Sequence, residues 1–427
     1  MNKSNSKGSI FSYIIGCTFP YLIIFGSLSF TIITTIVGYH YIQGSAIYII
    51  YNVAIALLGY GYYAFNMLRQ RKLFMSDLIA IIIIIVLLLT YLWTETFGEV
   101  SIMASDYFKY MIVWSIPAFL YGVVFLKKNN LKKVLQGADI FMILITITVC
   151  INGVYYYING VSSASVSGST TYQTMSYLSA LSIGMNYYLI ISKSPQYRPL
   201  FFQTSHVYKI ICFIMLIIQV TALILTGGRG GMILAIIYFI MITIMNNRMT
   251  NKITKKMVVL FSVIGLAILF SSNNEMIVSG LNRMFQFIGA NGIDWAGTSG
   301  RAEIYTAAVE LIKDRPILGY GMWGLFAYIR NPHNIFLEWM LGGGVLGLII
   351  GIIVVILTIR RYFGLYKINQ EFTLLFIFFL YNFVMLMFSG TYLCAPSLWF
   401  FIGAMLGSRR KCFVVKKQKQ SYTDQGR

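Results

Sequence analysis

The chain has 427 residues, of which 58% are apolar and only 11% charged, whereas roughly a quarter of the residues in a soluble domain carry charge. The net charge of +20 would suit nucleic acid, but the basic residues lie between long apolar runs rather than on one soluble surface. The composition therefore excludes a soluble enzyme and a nucleic-acid partner. It predicts a multi-pass membrane protein that forms a single integral membrane domain over residues 1–427.

Hydropathy along the chain predicts an all-α polytopic transmembrane bundle of about twelve spans. The first apolar stretch is longer than that of a signal peptide and has no evident cleavage site, so we interpret it as a retained helix. The predicted spans are, in order, 11–37, 46–67, 75–93, 108–126, 138–157, 173–191, 209–226, 231–246, 256–271, 335–359, 372–388 and 397–407.

Basic residues are unevenly divided between the two sides that these spans define. With the N-terminus inside, the inner loops and tails hold 26 of the 33 Lys and Arg residues, and the outer side holds the other 7. Because cytoplasmic loops carry the excess of Lys and Arg, both termini are predicted to be cytoplasmic, in a cell (plasma or inner) membrane. The outer residues are Lys109, Arg229, Arg283, Arg301, Lys313, Arg315 and Arg330.

Two outer segments differ from the short connections elsewhere. Residues 158–172 are rich in Ser, Thr and Gly and predict a flexible loop. Residues 272–332 form a large extracytoplasmic loop between spans nine and ten, and a loop this long is usually functional or has its own structure. Its sequence SGRAEIYTAAVELIKDRP predicts a surface helix that Ser299 caps and Asp314-Arg315-Pro316 ends. The apolar stripe of this helix is Ile304, Ala308, Leu311 and Ile312.

Arg229 lies among four glycines in LTGGRGGM, at the predicted outer turn between the seventh and eighth spans. Glycine lets the backbone approach a ligand closely, and the first N–H groups of the next helix, including that of Gly230, favour an anion. An arginine beside them would complete a phosphate site. The alternative is a tight turn whose arginine extends to lipid headgroups, and the turn alone does not separate the two interpretations.

Arg301 and Arg283 lie in the large outer loop, where each could be an ordinary charge paired with Glu303 or Asp294. For Arg283 that interpretation is preferred, and only a supporting role is considered. Arg301 opens the predicted loop helix, and a position at a helix N-terminus favours anion binding.

The sequence NPHN predicts the start of the tenth span, with Asn331 as the cap and Pro332 as the first helical residue. His333 would then lie in the first turn at the outer membrane boundary. A lone histidine is more often structural, but a helix N-terminus disfavours the imidazolium and leaves a neutral ring able to accept a proton. We therefore predict that His333 is a functional base.

Three other polar residues are candidates to support that base. Asn334 is adjacent to the histidine, Glu338 lies about one turn further along the span, and Glu310 is on the loop helix. Either glutamate could orient the ring or replace it as the base. Since a charged group inside a span is costly, Glu338 should face the bundle interior or a cavity.

Patterns typical of metal or nucleotide sites are missing from the sequence. It has no Asp-x-Asp pair, no Walker-type loop and no dinucleotide fingerprint, and its five cysteines are scattered. A donor that leaves as a phosphate without a metal needs arginines to neutralise its charge. We therefore expect no metal and no cofactor.

In their order and spacing, these motifs resemble the O-antigen ligase and O-antigen or capsular polysaccharide polymerase superfamily. The similarity runs from about residue 220 to 350. A departure is Leu341-Gly342-Gly343-Gly344, where many relatives have an acidic residue before a single glycine, and it bears on how the tenth helix packs. The similar motifs are Thr226-Gly-Gly-Arg-Gly-Gly231, the helix led by Arg301, Asp314-x-Pro-x-x-Gly-x-Gly321 and His333-Asn-x-x-Leu337.

The resemblance implies a metal-independent, inverting glycosyltransferase embedded in the membrane. Its donor would be a polyprenyl-diphosphate-linked oligosaccharide at the outer leaflet. Arg229 and Arg301 match the diphosphate-binding arginines of the family, and His333 matches the histidine proposed to activate or position the acceptor hydroxyl. The implied partners are the lipid-linked donor, a glycan acceptor and the bilayer, with a chain-length regulator and a flippase as further candidates.

Three functions remain open from the sequence. A polymerase of lipid-linked repeat units is preferred, because the first half is divergent and the outer loop is long. A ligase that moves finished glycan to a lipid or protein acceptor would use the same chemistry. A lipid-linked-sugar flippase or other transporter fits the span count, but it should carry ionisable residues or broken helices near the midplane, whereas the unusual residues here gather at one surface.

Overall fold

The computed structural model describes residues 6–71, 73–98, 100–126, 130–159, 171–191, 206–245, 278, 282, 288–289, 292–293 and 301–408. These residues form a helical bundle, which confirms the all-α prediction. Its helices are α1 (Ser6–Phe25), α2 (Ser27–Val37), α3 (Ala46–Gln70), α4 (Met75–Phe97), α5 (Ile102–Phe125), α6 (Leu131–Asn159), α7 (Tyr172–Ile191), α8 (His206–Thr226), α9 (Arg229–Met245), α10 (Arg301–Asp314), α11 (Ile335–Tyr366), α12 (Thr373–Met385) and α13 (Pro396–Gly407).

Several of these helices have the length and apolar character of membrane spans. Among the described residues, α3, α4, α5, α6 and α11 qualify, which makes five, or six when α1 and α2 are taken as one bent span. The apolar helices α9 and α13, together with the apolar parts Ile210–Thr226 of α8 and Gln370–Met385 around α12, have 10–17 residues. The protein is therefore a multi-pass membrane protein, and the number of about twelve spans stays a prediction. The ninth predicted span, 256–271, lies outside the described residues.

The first predicted span is wrong as a single helix. Helices α1 and α2 meet at Gly26 and are bent by 114°. Gly26 has φ 50, which favours glycine, and a side chain there would also meet Pro396 at 3.4 Å and Trp114 at 3.5 Å. The continuous apolar sequence gave no sign of this bend, because hydropathy does not depend on backbone direction.

Small residues bring α5 and α13 into close contact in the bundle interior. A Cβ on Gly122 would lie 2.8 Å from the Ala404 backbone nitrogen, and a side chain on Gly403 would overlap the Phe119 carbonyl. Glycines let helix backbones approach each other in this way, so that dispersion contacts hold a membrane bundle together. The pair forms part of the packed framework of the bundle.

Helix α11 is not the straight tenth span that the sequence predicted for 335–359. Gly344 has φ 61 and ψ −155, which breaks the helix after its first nine residues. A Cβ on Gly351 would lie 2.5 Å from Trp339 Cε3, although twelve residues separate the two along the chain. The first part of α11 therefore folds back beside the second part, and residues 345–366 form the long apolar portion.

The segment between α10 and α11 supplies the backbone partners that this break requires. In an unbroken helix the Val345 N–H would donate to the Leu341 carbonyl. Instead the Val345 N–H donates to the Pro316 carbonyl at 2.8 Å, and the Leu341 carbonyl accepts from the Tyr320 N–H at 2.7 Å. The segment 316–320 thus docks against the break. The segment turns at Gly319, where φ is 62.

The surface helix predicted in the large loop is confirmed as α10, which ends at Asp314. Ala308 is fully buried, and Ile304, Leu311 and Ile312 pack against the same apolar cluster as Leu341 of α11. The predicted cap, Ser299, lies outside the described residues. Elsewhere in the loop, Ile288–Gly289 and Gly292–Ile293 form a two-residue antiparallel pair.

The boundaries of the predicted flexible loop at 158–172 need correction. Helix α6 continues to Asn159, and α7 already begins at Tyr172. Residues 160–170 lie outside the described part of the chain. The first turns of α7 lie beside the glycine-rich turn that precedes α9.

Candidate functional site

The glycine-rich turn between α8 and α9 is built against α7. Gly227 has φ 62 at the end of α8, and α9 begins at Arg229. The Ser176 hydroxyl of α7 donates to the Gly228 carbonyl at 2.9 Å, and a side chain on Gly228 or Gly231 would overlap Ser176. These two glycines therefore serve close packing on α7, a reason that the sequence did not reveal.

A cavity of about 70 Å³ opens at this turn. It has room for several water-sized groups, since one water needs roughly 10–15 Å³. Arg229 and Arg301 are the charged residues among those that line it, and α9 presents its N-terminus to the same space. The remaining lining residues are Tyr172, Gln173, Ser176, Tyr177, Gly227, Gly228, Gly230 and Gly231.

Arg229 and Arg301 come from distant parts of the sequence, yet their positive charges repel each other across this cavity. Both side chains are partly buried, so solvent screens this repulsion less than it would at an open surface. The N-terminus of α9 adds a further partial positive charge. An anion bound between the two guanidinium groups would offset the positive charges of both arginines and of the helix N-terminus. The geometry is therefore suited to a phosphate or diphosphate group.

His333 precedes α11 and does not lie in its first turn, so that prediction is wrong. Its φ is 51, in the left-handed region that few residues other than glycine adopt. The Asn331 side-chain oxygen accepts the His333 backbone N–H at 2.9 Å and closes the turn that holds this conformation. Asn331 is thus a turn residue and not the cap of the helix.

The electrostatic surroundings of His333 keep its ring neutral. Partial burial lowers the pKa of His333 below its usual value, and the positive charges of Arg301 and Arg330 lower it further. Arg301 therefore acts on both the histidine and Arg229. His333 is not among the residues that line the cavity, so the cavity and the ring are neighbouring parts of one cationic region.

The buried side of the histidine ring lacks a partner. Nδ1 of His333 has no hydrogen bond among the described residues. A histidine base normally has its other ring nitrogen held by an acceptor, which fixes the tautomer. Neither Glu338 nor Glu310 supplies that acceptor here.

Asn334, a predicted support, is the N-cap of α11. Its side-chain oxygen accepts from the Phe336 N–H at 3.0 Å and from the Leu337 N–H at 3.3 Å. An asparagine in this position satisfies backbone donors that the helix leaves open. Asn334 therefore fixes where the helix starts, directly after the histidine.

Glu338 is 1% exposed, which confirms the prediction that it faces the bundle interior. Its carboxylate accepts from the Thr391 hydroxyl and from the Tyr392 backbone N–H. Glu310 instead lies on the exposed face of α10 and pairs with Lys313 at 2.8 Å. Arg283 lies outside the described residues.

Four side chains of the cavity wall were missed by the sequence reasoning. Tyr172, Gln173, Ser176 and Tyr177 occupy the first turns of α7, in a region where the sequence showed only a loop end and an apolar span. A usable signal was present in the buried polar residues of this helix, which recur at helical spacing. These are Ser176, Ser179, Ser182 and Asn186.

No group of three or more possible metal-ligating side chains occurs in the described part of the chain. The fold and the cationic cavity together define a multi-pass helical membrane protein with an anion-suited site. Residues 213–352 match the model of a protein family described as O-antigen ligase.

That match confirms the resemblance seen in the motifs. It covers about a third of the chain and includes Arg229, Arg301 and His333. It points to a membrane enzyme of the O-antigen ligase or polymerase type, which is glycosyltransferase-like in its chemistry. No curated protein and no solved structure matches the chain.

Proposed function

We propose that this protein is a membrane glycosyltransferase that polymerises polyprenyl-diphosphate-linked oligosaccharide repeat units into a surface polysaccharide. The observation that carries the proposal is the cavity in which Arg229, Arg301 and the N-terminus of α9 meet. A lipid diphosphate is the anion of this chemistry, and its two phosphates suit two guanidinium forks.

In the proposed reaction, the donor diphosphate is held by Arg229, Arg301 and the Gly230 N–H. A hydroxyl of the acceptor glycan attacks the anomeric carbon of the donor sugar and forms the new glycosidic bond. The bond from that carbon to the phosphate oxygen breaks, and its electron pair leaves with the lipid diphosphate. A single displacement inverts the anomeric carbon, and it needs neither a metal nor a cofactor in this scheme.

His333 is proposed to take the proton of the attacking hydroxyl. The lowered pKa of His333 supports this role, because the ring is neutral at pH 7 and can accept a proton. General-base assistance of this kind contributes about 10²–10⁴-fold. The arginines contribute by holding the charge that develops on the leaving diphosphate more strongly than they hold the ground state.

The site is proposed to face the extracytoplasmic side of the cell membrane, with both termini in the cytoplasm. The support is the excess of Lys and Arg in the loops on the other side of the predicted spans. The proposed partners are the lipid-linked donor, a glycan acceptor and the bilayer. A flippase that delivers the donor and a chain-length regulator are further proposed partners.

The direct test is an assay with the purified full-length protein and lipid-linked repeat units. We expect longer glycans without nucleotide sugar and in the presence of a metal chelator. A transporter would move the substrate across vesicles without lengthening it. Unchanged glycan length in this assay would overturn the proposal.

Variants of the two arginines sharpen this test. We expect Arg229→Ala and Arg301→Ala each to lower turnover by about 10²–10³-fold, the effect of removing one donor from a developing anion. Arg→Lys at either position should retain little activity, because the fork is lost. Arg315→Ala is the matched control, since Arg315 is exposed and stacks on Tyr320 at 4.8 Å. We call the binding of the diphosphate by the two arginines the clamp. Wild-type turnover in Arg229→Ala would contradict it.

A ligase is the second candidate, because the matched family is described as O-antigen ligase. It would use the same clamp and histidine to transfer finished glycan to a lipid or protein acceptor. Supplying long lipid-linked glycan together with such an acceptor separates the two functions. A ligase labels the acceptor once, whereas a polymerase extends the lipid-linked chain.

A further inference from the structure

We propose that the Tyr177 hydroxyl is a third donor to the diphosphate, placed by α7 at the cavity that both arginines line. This inference rests on the proposed function, because it concerns the same anion. It adds a residue outside the matched segment 213–352.

The position of Tyr177 is fixed by α9. A side chain on Gly230 would overlap the Tyr177 hydroxyl, so the hydroxyl lies directly on the first turn of that helix. Tyr177 lines the cavity together with Arg229 and Arg301. The Arg301 guanidinium is also close enough to act on the Tyr177 side chain electrostatically.

The Tyr177 side chain is 4% exposed, and no hydrogen bond to its hydroxyl is found among the described residues. The hydroxyl is not one of the fully enclosed polar atoms without a partner, and Tyr177 lines the cavity, so the hydroxyl is available to a ligand there. An oxyanion in the cavity would accept its hydrogen bond. The N–H groups that begin α9 and the phenol would then converge on the same ligand.

A neutral hydroxyl donor differs from the arginines because it brings no positive charge into the cavity. It strengthens anion binding without increasing the repulsion between the positive charges in the cavity. Its rigid ring holds the hydroxyl in one place, so little conformational freedom is lost when the anion binds. We therefore expect Tyr177 to act as a binding and positioning residue and not as an acid or base.

The test measures the affinity of the purified full-length protein for inorganic pyrophosphate, in detergent and at fixed ionic strength. Tyr177→Phe removes only the hydroxyl and should weaken pyrophosphate binding about tenfold, the effect of losing one hydrogen bond to a charged group. Because no described residue forms a hydrogen bond with that hydroxyl, the unfolding temperature without pyrophosphate should not fall.

Tyr187→Phe is the matched control on the same helix. Its hydroxyl lies 2.9 Å from the Thr243 hydroxyl and does not line the cavity. This variant should bind pyrophosphate like the wild-type protein. A role of Tyr177 in packing alone would change the unfolding temperature and leave the affinity as it was.

Arg229→Ala distinguishes failure of this inference from failure of the proposed function. Loss of pyrophosphate binding in Arg229→Ala, with wild-type affinity in Tyr177→Phe, overturns the inference and leaves the clamp intact. Wild-type affinity in Arg229→Ala, or no binding by the wild-type protein, overturns the clamp and the inference together. A weakened Tyr177→Phe beside an unchanged Tyr187→Phe supports the inference.

Discussion

Besides partial burial, two positive neighbours from different elements favour the neutral state of His333. Arg301 belongs to α10, and Arg330 precedes the turn that holds the histidine. Partial burial lowers the pKa of His333, and both arginines lower it further, so the ring remains neutral until the pH falls below 6.5, the usual pKa of histidine. A reaction that needs the neutral ring is therefore lost only as the medium becomes acidic.

Arg330→Gln tests this electrostatic arrangement. Removing one positive charge raises the pKa of His333, so activity should be lost at a higher pH than in the wild-type protein. The measurement is the acid limb of the kcat/KM profile for donor consumption. Arg315→Gln serves as the control, since Arg315 does not act on the histidine. If the acid limb of Arg330→Gln lies at the same pH as that of the wild-type protein, His333 is not the group that sets the pH dependence of the rate.

At this scale the sequence indicated the arginines and the histidine but not the tyrosine. Arg229, Arg301 and His333 are polar residues beside turns or helix ends, where motif and charge are both informative. Tyr177 lies within a predicted span and carries no motif of its own, and its role depends on which helix packs beside α7. Helix packing across long sequence separations is not encoded in any local pattern.

The breaks in the apolar helices define the architecture at the scale of elements. At Gly344 the chain leaves the helical region, and the segment 316–320 takes over two of the backbone hydrogen-bonding groups of α11. The departure from the family pattern at Leu341-Gly342-Gly343-Gly344 falls on this break. The sequence predicted the helices and most of their ends, but an apolar run does not reveal where it bends.

Gly344→Ala should destabilise the protein by about 2 kcal/mol or more, because alanine is strained at positive φ and would also collide with Ile317. Gly343→Ala is the matched control on the adjacent residue, where a Cβ meets nothing within 4 Å. The measurement is the unfolding temperature of both purified variants. Equal stability of the two variants would contradict the break in α11.

Asn334→Ala tests the start of the same helix. Loss of the two hydrogen bonds from the cap should destabilise the protein by about 1 kcal/mol, whereas Asn334→Asp retains an acceptor and should be nearly neutral. The unfolding temperature measures both. If Asn334 instead supports catalysis directly, activity would fall in Asn334→Asp without a change in stability.

For the whole molecule, the account requires the cavity and the basic loops to lie on opposite sides of the membrane. Charge asymmetry was enough to predict an orientation, since it depends only on which loops are basic. The number of spans could not be fixed in the same way. Bent and short apolar helices have the hydropathy of membrane spans but need not each cross the bilayer. The α1 and α2 pair is an example, because the two helices pass as a span only together.

Labelling with a membrane-impermeant maleimide tests this orientation in intact cells. In a variant without native cysteines, Glu310→Cys should react from outside, because the residue is exposed on α10. Arg360→Cys, exposed near the other end of α11, should react only after the membrane is permeabilised. The reverse pattern would place the cavity in the cytoplasm, where no outer-leaflet donor could reach it.

The most direct measurement of the central claim is a double-mutant cycle on Arg229 and Arg301. It compares kcat/KM for the lipid-linked donor in wild type, Arg229→Gln, Arg301→Gln and the double variant. If both arginines hold one diphosphate, the double variant should lose less transition-state stabilisation than the sum of the single variants, by at least about 1 kcal/mol. Losses that add to within about 0.5 kcal/mol would mean that the two arginines act on separate groups, and the account would be contradicted.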